Sequence, residues 1–66
     1  MKAIVYKGYN IVTDEGGNSY IYDNGELKGA THTDYLVNDS FVSKPKNNSE
    51  KKAKLRIDNN KLNNLK

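Results

Sequence analysis

Three turn signals at short intervals constrain this 66-residue chain more than any other feature. Lys7-Gly8, the run Asp14-Glu15-Gly16-Gly17-Asn18 and Asn24-Gly25 separate short stretches rich in isoleucine, valine and tyrosine, the pattern of an antiparallel meander. Closing the first hairpin at Lys7-Gly8 pairs Tyr6 with Tyr9 and Ile4 with Ile11. The two-residue side-chain period then puts all four on one face and turns Val5 and Val12 to the other. Asn24-Gly25 suits a type I′ turn and sets Leu27 opposite Tyr22. Pairing Thr13 with Tyr20 across the middle turn brings Tyr20 and Tyr22 onto the face of Ile11. The predicted apolar face is therefore Ile4, Tyr6, Tyr9, Ile11, Tyr20, Tyr22 and Leu27.

Residues 31–43 allow two readings. Thr31 or Thr33 can cap a helix on which Leu36, Val37 and Phe41 share a face, whereas Asn38, Asp39 and Ser40 favour a turn. The helix is the better expectation because it covers the apolar face of the sheet. Pro45 and residues 46–49 read as a linker or exposed loop. Ala53, Leu55 and Ile57 alternate with Lys54 and Arg56, which predicts an edge strand guarded by its cations. Leu62 and Leu65 have helical spacing in an otherwise polar end, which predicts a frayed end or a short turn.

The expected fold class is α+β: a small antiparallel β-sheet of hairpins with one short helix and a C-terminal strand. The acidic, tyrosine-rich body of sheet and helix (1–43) and the basic linker, edge strand and tail (44–66) form one domain. A chain of this size buries only about 60% of its unfolded surface. With no cysteine and one histidine it has neither a disulfide nor a thiolate metal site to compensate. Self-association is the remaining route to a larger core, so a homodimer is expected.

Charge divides the chain along the same line. Residues 1–43 hold Lys2, Lys7 and Lys28 against Asp14, Glu15, Asp23, Glu26, Asp34 and Asp39, a net of −3. Residues 44–66 carry eight cations against Glu50 and Asp58, a net of +6. An acidic body suits a partner with a basic surface, and a basic tail suits phosphates. The longest apolar run, Ala3-Ile4-Val5-Tyr6, is far short of a membrane span, and no signal-peptide core is visible. A soluble protein of the host cell cytoplasm is expected, with no membrane partner. The abundance of asparagine and lysine suggests an AT-rich coding sequence, which with the small size fits a phage or mobile element.

No catalytic constellation is expected. A nucleophile needs a base within hydrogen-bond reach and that base needs an orienting group. His32 is the sole candidate base, and in the run Thr31-His32-Thr33 a solvated or capping histidine is the better reading. Asp14 and Glu15 beside two glycines could approach a cation, but a calcium loop needs about six oxygen ligands at set spacing, so a turn is preferred. No cofactor or metal is expected. Tyrosines interleaved with lysine can stack nucleobases, although Tyr6, Tyr9, Tyr20 and Tyr22 coincide with the predicted core. Lys51, Lys52, Lys54 and Arg56 form a possible phosphate-binding set whose affinity would be salt-sensitive.

In their order along the chain, several pieces resemble the small uracil-DNA glycosylase inhibitors of phages that infect Gram-positive bacteria. They are Asp14-Glu15-Gly16 followed by Tyr20-Ile21-Tyr22, then Thr33-Asp34-Tyr35-Leu36-Val37, then Lys54-Leu55-Arg56-Ile57-Asp58, collinear over about 45 residues. The resemblance implies a homodimeric, non-enzymatic DNA mimic. Its carboxylates replace phosphates, and an apolar pocket takes the wedge residue that the glycosylase inserts into the base stack. It also implies that Tyr35 is the pocket aromatic, Asp34 the carboxylate before it, and Tyr20 and Tyr22 supports of the dimer or pocket. Candidate partner-binding residues are thus Tyr35, Asp34, Leu36, Tyr20, Tyr22, Glu26 and Asp39. The chain departs from the pattern in its basic tail, in Ile21 and Leu36 where an acid is favoured, and in the polar stretch 43–51. The alternatives are a nucleic-acid-binding module that uses the basic segment and an inhibitor of another host or defence enzyme.

Overall fold

A computed structural model describes residues 1–35 and 46–62. It is a small α+β fold in which four antiparallel strands are followed by one helix. The strands β1 (Lys2–Tyr6), β2 (Tyr9–Thr13), β3 (Ser19–Asp23) and β4 (Glu26–Thr31) lie in chain order in one sheet. The helix α1 (Ser49–Asp58) packs on one face of it. No described helix is long and apolar enough to cross a membrane.

Two of the hairpins form as their turn residues dictate. Lys7 and Gly8 have φ of 51° and 86°, and Asn24 and Gly25 have φ of 52° and 81°. Both central residues of each turn are therefore left-handed, as a type I′ turn requires. Tyr6 pairs with Tyr9, Ile4 with Ile11 and Tyr22 with Leu27, as the sequence predicts.

The middle hairpin differs by one residue. Thr13 pairs with Ser19, Val12 with Tyr20, and Ile11 with Ile21. The turn itself sets this register: Asp14 N–H donates to the Asn18 carbonyl at 2.9 Å and Gly17 N–H to the Asp14 carbonyl at 3.2 Å, so Asp14 faces Asn18 across it. A one-residue shift moves every side chain of a strand to the opposite face. Ile21 consequently enters the core beside Ile11, both fully buried, whereas Tyr20, Tyr22 and Leu27 join Val5 and Val12 on the other face. The expectation that Tyr20, Tyr22 and Leu27 share the face of Ile11 is corrected accordingly.

The predicted C-terminal strand is also corrected, because residues 49–58 are helical. Glutamate, lysine, alanine, leucine and arginine are all good helix formers. The alternation of Ala53, Leu55 and Ile57 coincides with a four-residue period, Ser49, Ala53, Ile57, that gives a helix a narrow inward stripe. Ser49 and Ala53 are buried and small, which lets α1 lie close to the sheet, while Ile57 and Leu62 pack at the edge of the core. Glu50 in the first turn and Arg56 in the last complement the helix dipole. The helix ends in a Schellman motif. Asn60 takes φ 53°, its N–H donates to the Ile57 carbonyl, and Lys61 N–H donates to the Arg56 carbonyl at 2.9 Å.

Of the linker or exposed loop expected at Pro45 and 46–49, Pro45 lies outside the described residues, 46–48 have no regular secondary structure, and Ser49 is instead the buried first residue of α1. The helix expected over 33–43 falls mainly on residues 36–43, outside the described ones; Thr33 and Asp34 have no regular secondary structure and Tyr35 forms an isolated bridge. The sheet's cover is α1 instead. On the described residues the end of the chain makes a turn at Asn59 and Asn60 and then brings Leu62 against the core.

A hydroxyl network joins the far end of the sheet to the start of α1. Thr13 Oγ1 and Ser19 Oγ lie 2.7 Å apart, Ser19 Oγ and Ser49 Oγ 2.8 Å apart, and Thr31 Oγ1 donates to the Ser49 carbonyl at 2.7 Å. Ser19 and Ser49 are buried and satisfied by each other, so burying them avoids the cost of a buried polar group left unpaired.

Gly17 and Gly25 separate backbone strain from crowding, since both have positive φ. A Cβ at Gly25 meets nothing within 4 Å, whereas one at Gly17 lies 2.7 Å from Thr33 Cγ2. Gly25→Ala should cost about 1 kcal/mol for the left-handed backbone. Gly17→Ala should cost about 2–4 kcal/mol, because overpacking adds to the same strain. Urea unfolding of the two variants measures the difference, and equal costs would show that Thr33 does not press on the turn.

Candidate functional site

With α1 on one side, the sheet presents its second face to solvent among the described residues. Val5 and Asn10 lie in line with Tyr22 and Leu27 across the strands, and Ala3 and Val12 in line with Tyr20 and Ala30. Val5 is 73% exposed, while Val12, Tyr20, Tyr22 and Leu27 are half-buried against one another. The tyrosine hydroxyls and the turn carboxylates make this face amphipathic. Tyr20 O–H reaches Asp14 Oδ2 at 3.4 Å, and Glu15, Asp23 and Glu26 are exposed in the turns at the two ends of β3.

The other predicted site residues lie on different parts of the surface. Tyr35 is 56% exposed, beyond the end of β4. Asp34 beside it is engaged from two sides, by Lys52 Nζ at 2.6 Å and Asn48 Nδ2 at 2.8 Å, and its backbone N–H donates to Asn48 Oδ1 at 2.9 Å. Glu26 pairs with Lys28 at 3.4 Å. Leu36 and Asp39 lie outside the described residues.

The proposed phosphate-binding cations stand on α1 and not on a strand, and several already have partners. Lys52 pairs with Asp34 and donates to the His32 carbonyl at 3.1 Å. Lys54 lies 3.7 Å from Glu50 and 5.5 Å from the Tyr6 ring centre. Arg56 Nη1 donates to the Lys61 carbonyl at 3.3 Å, and Lys51 is exposed on the outer side of the helix.

His32 Nδ1 lies 2.8 Å from Asn18 Oδ1, joining the end of β4 to the middle turn. Asp14 holds that turn closed, accepting from Asn18 N–H at 2.9 Å. Among the described residues no three His, Asp or Glu side chains converge as metal ligands.

Two contacts central to this surface were not foreseen from the sequence. Asn48 bonds Thr33 and both ends of Asp34, so it fixes the segment that carries Tyr35. Asp58 receives Tyr6 O–H at 2.9 Å and Lys7 Nζ at 2.6 Å, which ties the first hairpin to the end of α1. Alternation of polar and apolar residues carries no signal for such long-range pairs. The one available cue was an aspartate at the end of a helical period, which becomes visible only once 49–58 is read as a helix.

These contacts perturb protonation. The Lys7 ammonium and then the Tyr6 hydroxyl lower the pKa of Asp58; Lys52 and then Asn48 lower that of Asp34; the Asn18 backbone N–H lowers that of Asp14. Tyr6 is raised by its bond to Asp58. For a group whose folded pKa is depressed, the stabilisation is complete above the ordinary aspartate value of 3.8 and is lost as pH falls through the folded value. The urea midpoint should therefore decline on acidification below about pH 4. Asp58→Asn should lower the midpoint at neutral pH and flatten that decline. An unchanged pH profile would show that the hairpin-to-helix contact does not form in solution.

Protein-family models, characterised proteins and solved structures yield no match to this chain, so its functional reading rests on the surface described above and on the order of its motifs.

Proposed function

We propose that this protein is a non-enzymatic binding protein that engages a DNA-processing enzyme, with uracil-DNA glycosylase as the target and DNA mimicry as the mode. The observation that carries the reading is the tyrosine-bearing sheet face left uncovered by α1. Tyr20 and Tyr22 are partly exposed on it, and Asp14, Glu15 and Asp23 stand at its ends with no lysine or arginine paired to them among the described residues. Aromatic anchors surrounded by carboxylates suit a basic nucleic-acid cleft: the rings bury area at little entropic cost, and the charges steer encounter. Half-exposed Tyr35, held in place through Asp34 and Asn48, adds the aromatic that the resemblance assigns to the wedge pocket.

The engaged state of Asp34 modifies the electrostatic part of this reading. Its charge is opposed by Lys52 at 2.6 Å, so it contributes less to a phosphate-like array than an unpaired carboxylate would. Inhibition then depends more on apolar contact. The same reading includes a homodimer, and light scattering during size-exclusion chromatography measures it directly; a stable monomer counts against the mimic.

The second reading is nucleic-acid binding through α1, favoured by the exposed Lys51 and the adjacent Lys52, Lys54 and Arg56 on a single helix. Its mark is an affinity that falls steeply between about 50 and 200 mM salt.

Titration of the protein into a uracil-DNA glycosylase reaction on a uracil-containing oligonucleotide separates the two. Near-stoichiometric loss of activity, with no binding of the free oligonucleotide, is the expected result. Tyr35→Ala and Tyr22→Ala should each weaken inhibition at least about tenfold while leaving the circular dichroism unchanged. An uninhibited reaction overturns the glycosylase reading, and oligonucleotide binding transfers the function to α1.

A further inference from the structure

The two edges of the sheet differ in what they offer a further strand. The strand order leaves β1 and β4 outermost. A type I′ turn at Lys7-Gly8 closes on a hydrogen-bonded pair, Tyr6–Tyr9, and bonded and non-bonded pairs alternate along an antiparallel ladder. Lys2, Ile4 and Tyr6 therefore direct their backbone groups to β2, while the N–H and C=O groups of Ala3 and Val5 point away from the sheet. Carried across the strands, the same alternation bonds Thr31 and Gly29 of β4 to Ser19 and Ile21, and a register shift interrupts the rest of that edge. β1 has no such interruption. Ala3 is exposed, Val5 is 73% exposed, and no other described backbone group bonds either of them. Proteins guard such edges with proline, bulges or charges. β1 has Lys2 alone, and Lys2 stands on the α1 face in an ion pair with Glu50 at 3.1 Å.

This strand is complementary to itself. When it is set antiparallel to β1 of a second copy about a two-fold axis at Ile4, all five of its residues overlap, and Ala3 of each copy falls opposite Val5 of the other. Both outward residues then form hydrogen-bonded pairs, about four backbone bonds in all. Lys2, the one charged residue of the strand, falls opposite Tyr6 and not opposite itself. The Lys2–Glu50 ion pair of one copy comes level with the Lys7–Asp58 pair of the other, so each end of the junction holds charges of both signs and neither pair has to open. We infer that β1 is the interface of a homodimer in which two four-stranded sheets join edge to edge into one.

The pairing also continues the face that α1 leaves uncovered. Leu27, Tyr22, Asn10 and Val5 form one row across the strands, and Ala3, Val12, Tyr20 and Ala30 form the next. Opposing Val5 to Ala3 of the second copy joins the first row of one protomer to the second row of the other. Both tyrosine pairs then lie on a single face, with the two helices together on the opposite side. Val5, the most exposed large apolar side chain of the strands, gains a neighbour there. An unrelated extended peptide matches the outward amides but not this continuity, which selects a second copy as the occupant. The interface deepens the homodimer contained in the proposed function and rests on that reading only for the use of the joined face; the pairing itself rests on strand geometry.

Sedimentation equilibrium of the full chain from about 50 μM to about 1 mM, with amide exchange followed by 15N NMR at both ends of that range, tests the interface. The expected result is a reversible dimer in which the amides of Ala3 and Val5 exchange at least about tenfold more slowly at the higher concentration, while that of Ala30, which points outward from β4, does not. A mixture of 13C-labelled and unlabelled protein should show an intermolecular contact between the Hα protons of Ile4, the closest backbone approach in a non-hydrogen-bonded pair. Ala3→Pro removes one outward N–H and leaves the bonds between β1 and β2 in place. It should weaken the dimer at least about tenfold with circular dichroism unchanged; the wild-type measurements stand whether or not this variant folds. A wild-type monomer throughout the range overturns the interface and the homodimer together. A dimer whose Ala3 and Val5 amides ignore concentration, or one that persists in folded Ala3→Pro, overturns the interface and leaves the homodimer standing. Dimerisation through β1 without inhibition of uracil-DNA glycosylase supports the interface and overturns the glycosylase reading.

Discussion

The structure depends above all on how β3 is set against β2. Pairing Thr13 with Ser19 brings Ile21 under the helix and places three hydroxyls, those of Thr13, Ser19 and Ser49, within hydrogen-bond reach in sequence. A slip of one residue would reverse this. Tyr20 and Tyr22 would face α1 and hold it away from the sheet, while Ser19 would lose Ser49 and expose its hydroxyl. The narrow inward stripe of the helix, Ser49 and Ala53, fits a sheet floor made of isoleucine and serine and does not fit one made of tyrosine. Sheet register and helix composition therefore specify each other, as in sequences whose local and tertiary preferences agree.

The same setting makes the surface on which the proposed function rests. A four-stranded sheet with a single helix covers one face, and the register decides which residues remain on the other. Among the described residues, the aromatic pair is left outside with Val5 and Val12, on the face that α1 does not cover. Among the described residues, the fully buried apolar side chains are Ile11, Ile21 and Ala53. Contacts at the periphery stabilise the fold alongside them: Tyr6 and Lys7 on Asp58, Lys52 and Asn48 on Asp34, and the hydroxyl network. In such a molecule the surface polar groups hold the helix in position.

Much of the sheet was legible because turn residues act locally. Lys7-Gly8 and Asn24-Gly25 demand left-handed backbone at consecutive positions, and each specifies the pairing of its own hairpin. The middle turn was legible as a turn but not in its register. Its five residues allow several closures, and the one adopted depends on Asp14 and Asn18 bonding across it and on what lies beneath β3. The helix at 49–58 was misread because Ala53, Leu55 and Ile57 satisfy both a two-residue and a four-residue period over so short a span. Helix propensity, counted over the whole decade, resolves that ambiguity. Its stop was hidden for a related reason: the left-handed residue after the helix is Asn60, where glycine is the usual marker. Of the candidate site, the neutralisation of Asp34 by a lysine eighteen positions away has no local signature.

The distribution of charge in space differs from its distribution along the chain, and this bears on function more than the net value does. By sequence the acids belong to one half and the cations to the other. Folding lays the second half on the first, so Lys2, Lys7 and Lys52 meet Glu50, Asp58 and Asp34 along the flanks of α1. Those carboxylates are screened at close range by permanent partners and contribute little to the field felt by a distant molecule. Among the described residues, Asp14, Glu15 and Asp23 at the turns of the tyrosine face have no lysine or arginine partner, and Lys51 is exposed on α1. The proposed contact of the tyrosine face with a basic surface therefore does not require the ion pairs that hold the fold to open.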